Sequence, residues 1–175
     1  MKKLLLVVDY QKDFVDGALG FSGAEALDKR IADKISAGRS AGVDIAFTMD
    51  THGSDYRDTQ EGQKIPIPHC LAGSEGWNLY GAVGRARRDE DRLISKPAFP
   101  SLALGEWLED QVYDQVELVG LVSYMCVLSN AIMVKAALPE AEVLVDASCT
   151  AGPDPTLHEK ALDLMEALQI TVLNR

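Results

Sequence analysis

Two hydrophobic patterns alternate along the chain. Short apolar runs rich in Leu, Val and Ile stand at about 3–8, 43–48, 92–95, 115–120, 141–146 and 170–173; runs of this length between polar residues read as buried strands. Longer stretches between them carry helical spacing. Ala24 to Ala41 has Leu27, Ile31 and Ile35 on one face, Ser101 to Val112 has Leu104 and Leu108, and Thr156 to Leu168 has Leu157, Ala161, Leu164 and Leu168. Val127 to Leu138 is a fourth helix-like run, and Thr156, just after Pro155, is placed to cap the third. This alternation predicts βαβ units: an α/β fold of three layers, α-β-α, with a six-stranded parallel sheet of Rossmann-like type.

One segment breaks the rhythm. From Thr51 to Asp91 the chain is polar and punctuated by Gly and Pro, with no period of two or of 3.6. A connection this long inside a compact domain usually carries function. Trp77, Leu79, Tyr80, Ile65 and Ile67 give it apolar groups to pack with, so 51–91 reads as a lid and site-forming loop within one domain, 1–175.

Composition narrows the class. A chain of 175 residues, 47% hydrophobic, buries a full core without a second domain. Its formal net charge of −10 repels phosphate backbones and anionic lipid, so nucleic acid is not an expected partner. The apolar run after Met1-Lys-Lys is too short for a signal peptide and nothing approaches a membrane span. Three cysteines make no disulfide framework. The expected setting is the cytosol.

The candidate chemistry sits where apolar runs stop. Asp9 follows the first strand, Lys96 the third and Cys126 the fourth, and the carboxyl ends of strands in an open α/β sheet are where ligands bind. At a strand-to-helix junction the helix dipole and unpaired N–H groups favour a thiolate, so the Cys126 thiol is expected to have a lowered pKa. Gly120 gives the backbone freedom before it. A lysine ammonium beside that thiolate would hold it by charge. Each residue has an ordinary alternative: a turn aspartate, an exposed lysine, a buried cysteine behaving as a small hydrophobe. Cys70 and Cys149 are read in that last way, and Asp13 as a helix or loop cap.

A second constellation is Asp50-Thr-His52 with His69 seventeen residues later. Asp50 and His52 alternate past the second strand and so project the same way. Two imidazoles and a carboxylate suit a divalent metal, zinc first, manganese or iron(II) otherwise.

With these residues in view, the chain resembles the nicotinamidase/isochorismatase-like cysteine hydrolases over essentially its whole length. Asp9-Tyr-Gln-Lys-Asp-Phe14 is similar to that family's aspartate motif, Met49-Asp-Thr-His52 with His69-Cys-Leu-Ala-Gly73 to the metal loop of the nicotinamidase branch, Lys96 with Phe99 to its lysine motif, and Gly120-Leu-Val-Ser-Tyr-Met-Cys126 to its glycine-to-cysteine turn. The resemblance implies a catalytic set Asp9, Lys96 and Cys126 that hydrolyses the C–N bond of a small, nicotinamide-like amide through a thioester. It also implies a cis peptide between Leu121 and Val122, an oxyanion hole from the N–H groups of Val122 and Cys126, and a metal on Asp50, His52 and His69 that orients a ring nitrogen.

Two departures bear on the substrate. Pro66-Ile67-Pro68 stands where the nicotinamidase pattern has an aromatic residue, and Tyr56-Arg57 near where it often has a further histidine. Phe14, Tyr56, Phe99 and Tyr124 are therefore the candidates for a ring-stacking wall. Alternatives are a hydrolase acting on another small substrate, such as an N-carbamoyl compound or ureido acid, and a catalytically silent binding subunit. A phosphoacceptor receiver domain also matches Asp9, Asp50 and Lys96-Pro97, but has no use for the two histidines or the long loop. Trp77 and Trp107, read as exposed, permit a homo-oligomer, dimer or larger.

Overall fold

In the computed structural model, which describes residues 1–175, six strands form one parallel sheet. They are β1 (Lys3–Val8), β2 (Asp44–Asp50), β3 (Arg92–Lys96), β4 (Gln115–Leu121), β5 (Glu142–Ala151) and β6 (Thr171–Leu173), in the spatial order β3-β2-β1-β4-β5-β6. Each lies where an apolar run predicts it. β5 runs past its expected end to Ala151, because the chain rejoins β4 after a register shift opposite Leu118–Gly120. The polar residues of that shifted stretch hide it from a pattern reading.

The helices are α1 (Lys12–Val15), α2 (Asp28–Ser40), α3 (Gln60–Lys64), α4 (Gly81–Ala86), α5 (Leu102–Glu109), α6 (Leu128–Ala137) and α7 (Pro155–Ala167). Successive side chains of a strand face opposite ways, and β1 shows it. Leu4, Leu6 and Val8 enter a core completed by Leu104 and Leu108 of α5, Ala131 and Val134 of α6, and Leu162 and Met165 of α7. Leu5 and Val7 enter a second core with Ile31 and Ile35 of α2 and Val83 of α4. The sheet thus has helices on both faces. No helix is long and apolar enough to cross a membrane.

Three expectations are corrected. The cap of α7 is Asp154, whose carboxylate accepts from the N–H groups of Thr156 and Leu157, with Pro155 in the first turn; Thr156 itself is helical. The 51–91 segment holds α3, α4 and a single 3-10 turn at Tyr56–Asp58, all too short to register as a period. Trp77 and Trp107 are half-buried: the Trp77 indole donates to Thr51 Oγ1 at 2.9 Å, and Trp107 packs on Tyr113 with ring centroids 6.1 Å apart.

The strand order reverses between β1 and β4, and ligands of open α/β sheets bind at such a switch point. β1 delivers Asp9 there and β4 delivers the turn that ends in Cys126. Gly120, paired with Val8, has φ of 117°, and a Cβ on it would lie 2.0 Å from the Val8 carbonyl oxygen. Only glycine lets the two strands close at that level.

Candidate active site

Asp9, Lys96 and Cys126 converge as the sequence predicts. Lys96 Nζ lies 2.6 Å from Asp9 Oδ2 and 3.4 Å from Cys126 Sγ, and donates to the Ala98 carbonyl at 2.9 Å. Asp9 stands just past β1 with a left-handed φ of 45°, a conformation that costs a non-glycine residue on the order of 1 kcal/mol or more and recurs at functional sites. Its backbone N–H donates to the Thr48 carbonyl and its Oδ1 accepts from Thr48 Oγ1 at 2.7 Å. Oδ2 makes no aligned hydrogen bond. The Lys96 contact there is one of charge.

Cys126 departs from expectation in its electrostatics. It sits inside a π-helical turn, Ser123–Val127, with α6 starting only at Leu128, and is 4% exposed. Burial, then the facing Asp9 carboxylate, push the thiol well up, and Lys96 opposes them without prevailing. The resting sulfur is therefore protonated; desolvation outweighs the helix dipole. Burial also raises Asp9, with Lys96 opposing and Asp50 adding to the rise. Burial alone would lower Lys96, but Asp9, Cys126 and Asp50 more than offset it, so the ammonium persists. Such a set can pass a proton from sulfur to carboxylate beside a fixed positive charge. The cis peptide lies between Leu121 and Val122.

Asp50, His52 and His69 also meet, and a residue missing from the sequence reading joins them: Glu61 of α3. The four donor atoms lie within 4.8 Å of one another. Asp50 Oδ2 is 2.9 Å from His52 Nε2 and 3.3 Å from His69 Nε2, and Glu61 Oε1 is 3.6 Å from each imidazole. Donors about 2.0–2.2 Å from a tetrahedral ion stand roughly 3.3–3.6 Å apart, so the cluster fits one divalent cation. A buried Glu61 Oε1 without a hydrogen-bond partner points the same way. His69 Nδ1 is 2.9 Å from the Ile67 carbonyl; a carbonyl only accepts, so Nδ1 carries the proton and Nε2 offers its lone pair to the cluster. Asp50 Oδ1 accepts from Lys96 Nζ at 3.2 Å, joining the two constellations through one ammonium.

A small cavity of about 160 Å³ opens above the sulfur, lined by Phe14, Leu19, Ile65, His69, Phe99, Val122, Met125, Cys126 and Pro153. Of the aromatic candidates, Phe14 and Phe99 line it. Tyr56 does not: its ring packs on His52 and His69 with centroids 4.7 and 5.0 Å away, walling the metal cluster, and its hydroxyl donates to the Ile65 carbonyl. Tyr124 lies against Gly152, where its hydroxyl accepts from the Asp154 N–H. Asp13 caps the loop after α1, its Oδ1 accepting from Ala18 N–H at 3.2 Å, and is also a tie, its Oδ2 accepting from Cys70 N–H at 2.7 Å and so holding the 51–91 segment. Cys70 and Cys149 are buried, with thiols pushed up chiefly by burial.

Known proteins share this arrangement of chain. A family model described as the isochorismatase domain matches residues 3–175. A nicotinamidase/pyrazinamidase of Mycobacterium tuberculosis is 24% identical over 187 aligned positions, covering 98% of each chain. The solved structure of a nicotinamidase/pyrazinamidase from Bacillus subtilis superposes with a TM-score of 0.87 at 26% identity, over 99% of this chain and 100% of that one. A pyrazinamidase/nicotinamidase from Streptococcus mutans UA159 gives 0.86 at 28%, over 98% and 100%. With the family model spanning nearly every residue and the fold shared end to end, this chain belongs to the isochorismatase family of hydrolases.

Proposed function

We propose that the protein is a metal-binding cysteine amidohydrolase that cleaves the C–N bond of a small neutral amide through a thioester on Cys126. The observation that carries this reading is the buried Lys96 ammonium in contact with both Asp9 and Cys126 at the floor of an apolar cavity. The relatives named nicotinamidase/pyrazinamidase support an amide as substrate.

In this mechanism Asp9 takes the thiol proton as sulfur bonds to the carbonyl carbon. The C=O electron pair moves to oxygen, and the N–H groups of Val122 and Cys126 receive the oxyanion. Collapse breaks the C–N bond, and Asp9 returns the proton to the departing nitrogen. Asp9 then draws a proton from water, whose oxygen attacks the thioester; the C–S bond breaks, the acid is released, and Asp9 returns the proton to the departing sulfur to restore the thiol. Lys96 balances negative charge throughout. Asp50, His52, Glu61 and His69 would hold a divalent cation, with zinc best matched to two imidazoles and two carboxylates. When bound, it supplies a Lewis-acid point that orients a heteroatom of the substrate. The 51–91 segment acts as the lid, supplying Ile65 and three of the four metal ligands, His52, Glu61 and His69, while Asp50 comes from the end of β2.

The cavity lining argues for a neutral, compact, flat amide over a ureido acid, because no lysine or arginine lines the space to receive the acid's carboxylate. The intact set of Asp9, Lys96 and Cys126 argues against a silent subunit. Ammonia release from nicotinamide, pyrazinamide, N-carbamoyl compounds and short aliphatic amides, by the protein and by Cys126→Ala, tests the reading. Turnover of an aromatic amide that falls by at least about 10³-fold in the variant is expected; undiminished turnover would sink it.

A further inference from the structure

His158 is the third histidine of the chain and belongs to neither constellation, yet it reaches the turn that carries the nucleophile. Its Nδ1 lies 2.9 Å from Ser123 Oγ. Ser123 is 0% exposed, and its hydroxyl has no other hydrogen-bond partner. A buried hydroxyl left alone costs about 1–3 kcal/mol, so this bond has consequences for the shape of the turn. Ser123 directly follows Val122, whose side chain lines the cavity, and opens the turn in which the N–H groups of Met125 and Val127 both converge on the Val122 carbonyl at 3.0 and 3.1 Å.

The helix behind His158 is firmly seated. α7 is capped by Asp154 and buries Ala161, Leu162 and Met165 in the core. A second tie runs beside the first, from Asp154 N–H to the Tyr124 hydroxyl at 3.3 Å. Two consecutive residues of the turn, Ser123 and Tyr124, are thus fixed to one rigid helix. The remaining side chains of that first turn, Thr156 and Leu157, are exposed; His158 alone turns inward to a polar partner.

We propose that His158 is a positioning residue: through Ser123 it fixes the orientation of the Val122 and Cys126 amides, and so the placement of the oxyanion donors relative to the sulfur. The inference rests on the amidohydrolase reading above. Losing an oxyanion donor outright typically costs about 10²–10³ in rate; a donor kept but misaimed should cost less. The bond acts on the reacting state rather than on substrate affinity, since neither His158 nor Ser123 lines the cavity.

Four variants test this: His158→Leu, His158→Asn, Ser123→Ala and the double variant His158→Leu with Ser123→Ala. The measurements are kcat and KM on the best amide, and inhibition by the matching aldehyde and acid. The aldehyde forms a tetrahedral adduct on sulfur and needs the oxyanion donors; the acid probes the cavity alone. His158→Leu should lower kcat about 10–100-fold and weaken the aldehyde to a similar degree, with KM and acid inhibition within about twofold. His158→Asn, which can place an amide group where Nδ1 stood, should restore most of the rate. The double variant should be no worse than the poorer single one. Ser123→Ala removes the same bond without disturbing α7, so it answers the question if His158→Leu does not fold.

A wild-type rate in Ser123→Ala and His158→Leu overturns the proposal, as does a rise in KM and acid inhibition constant that accounts for the whole loss. Failure of His158→Asn to recover activity also overturns it. Cys126→Ala in the same assay separates this outcome from the parent reading: an active Cys126→Ala removes the nucleophile assignment, whereas an inactive one beside a fully active His158→Leu removes the positioning role alone.

Discussion

Gln11 and Asp50 are joined in both directions: Gln11 Nε2 donates to the Asp50 carbonyl at 2.9 Å, and the Asp50 N–H donates to Gln11 Oε1 at 2.7 Å. The same Nε2 donates to the Trp77 carbonyl at 2.8 Å. A buried side chain two residues past Asp9 therefore mimics a neighbouring strand for the last residue of β2, and aims a candidate metal ligand by its backbone. Partners behind a ligand commonly set about 10–100-fold of metal affinity. Gln11→Leu is expected to weaken metal binding by that order in a competition titration with a chelating dye. Unchanged affinity would show that Asp50 is held without it.

Glu61 gives an expectation of opposite sign with and without metal. In the bare cluster its carboxyl is pushed up by burial and then by Asp50, with the imidazoles and Lys96 opposing. Glu61→Gln removes that like-charge contact and a ligand together. The metal-free variant should melt no lower than the metal-free parent, while the rise in Tm on adding zinc, which scales with affinity, should shrink. An equal zinc-induced rise in both would exclude Glu61 from the site.

The acid limb of the rate profile should report Asp9. Burial holds this carboxyl above its usual 3.8, and Lys96 pulls it back down. As the base, Asp9 must be ionised, so kcat/KM should rise with pH through its raised pKa. Lys96→Met removes the lowering influence, so the limb should move to higher pH, with a loss of about 10²-fold or more at neutral pH. It should also destabilise by about 3–5 kcal/mol, since two buried carboxylates lose their counter-charge. A limb that stays in place would mean that another group sets it.

Stability in acid should depend on a cluster away from the active site. Burial works to raise the Asp146 carboxyl, but Lys34, Ser148 and Asn174 together hold it below 3.8, with Lys34 Nζ 2.6 Å from Asp146 Oδ2. A folded pKa below the unfolded one contributes stability that is fully present above 3.8 and is lost as pH falls through the lowered value. Asp146→Asn should therefore flatten the acid side of the Tm–pH curve below pH 4 or so, and Lys34→Met should cost about 1–3 kcal/mol at neutral pH by leaving a buried carboxylate short of a partner. Parallel curves for Asp146→Asn and the parent would refute this assignment.

Much of the molecule follows from local pattern. The six strands and the four long helices are written as apolar runs and helical faces, because alternation and a 3.6-residue period depend only on near neighbours. Asp9, Lys96 and Cys126 could be singled out because each closes an apolar run, and an α/β sheet brings all strand ends to one rim. Asp50, His52 and His69 announce themselves by residue type. The sequence does not contain the strand order, which depends on how helices pack across the sheet, nor the protonated state of Cys126. That state is set by desolvation, a property of the closed structure that a strand-to-helix junction does not reveal. Glu61 is nine residues from His52 and eight from His69 in a loop rich in acids, and nothing marks it until α3 turns it inward. Gln11 and His158 are likewise ordinary polar residues in the chain. Their partners, Asp50 and Ser123, are 39 and 35 positions away, so only tertiary packing gives them a task. The same packing sends Tyr56 to the metal cluster and Tyr124 to Gly152, and leaves Phe14 and Phe99 to face the cavity.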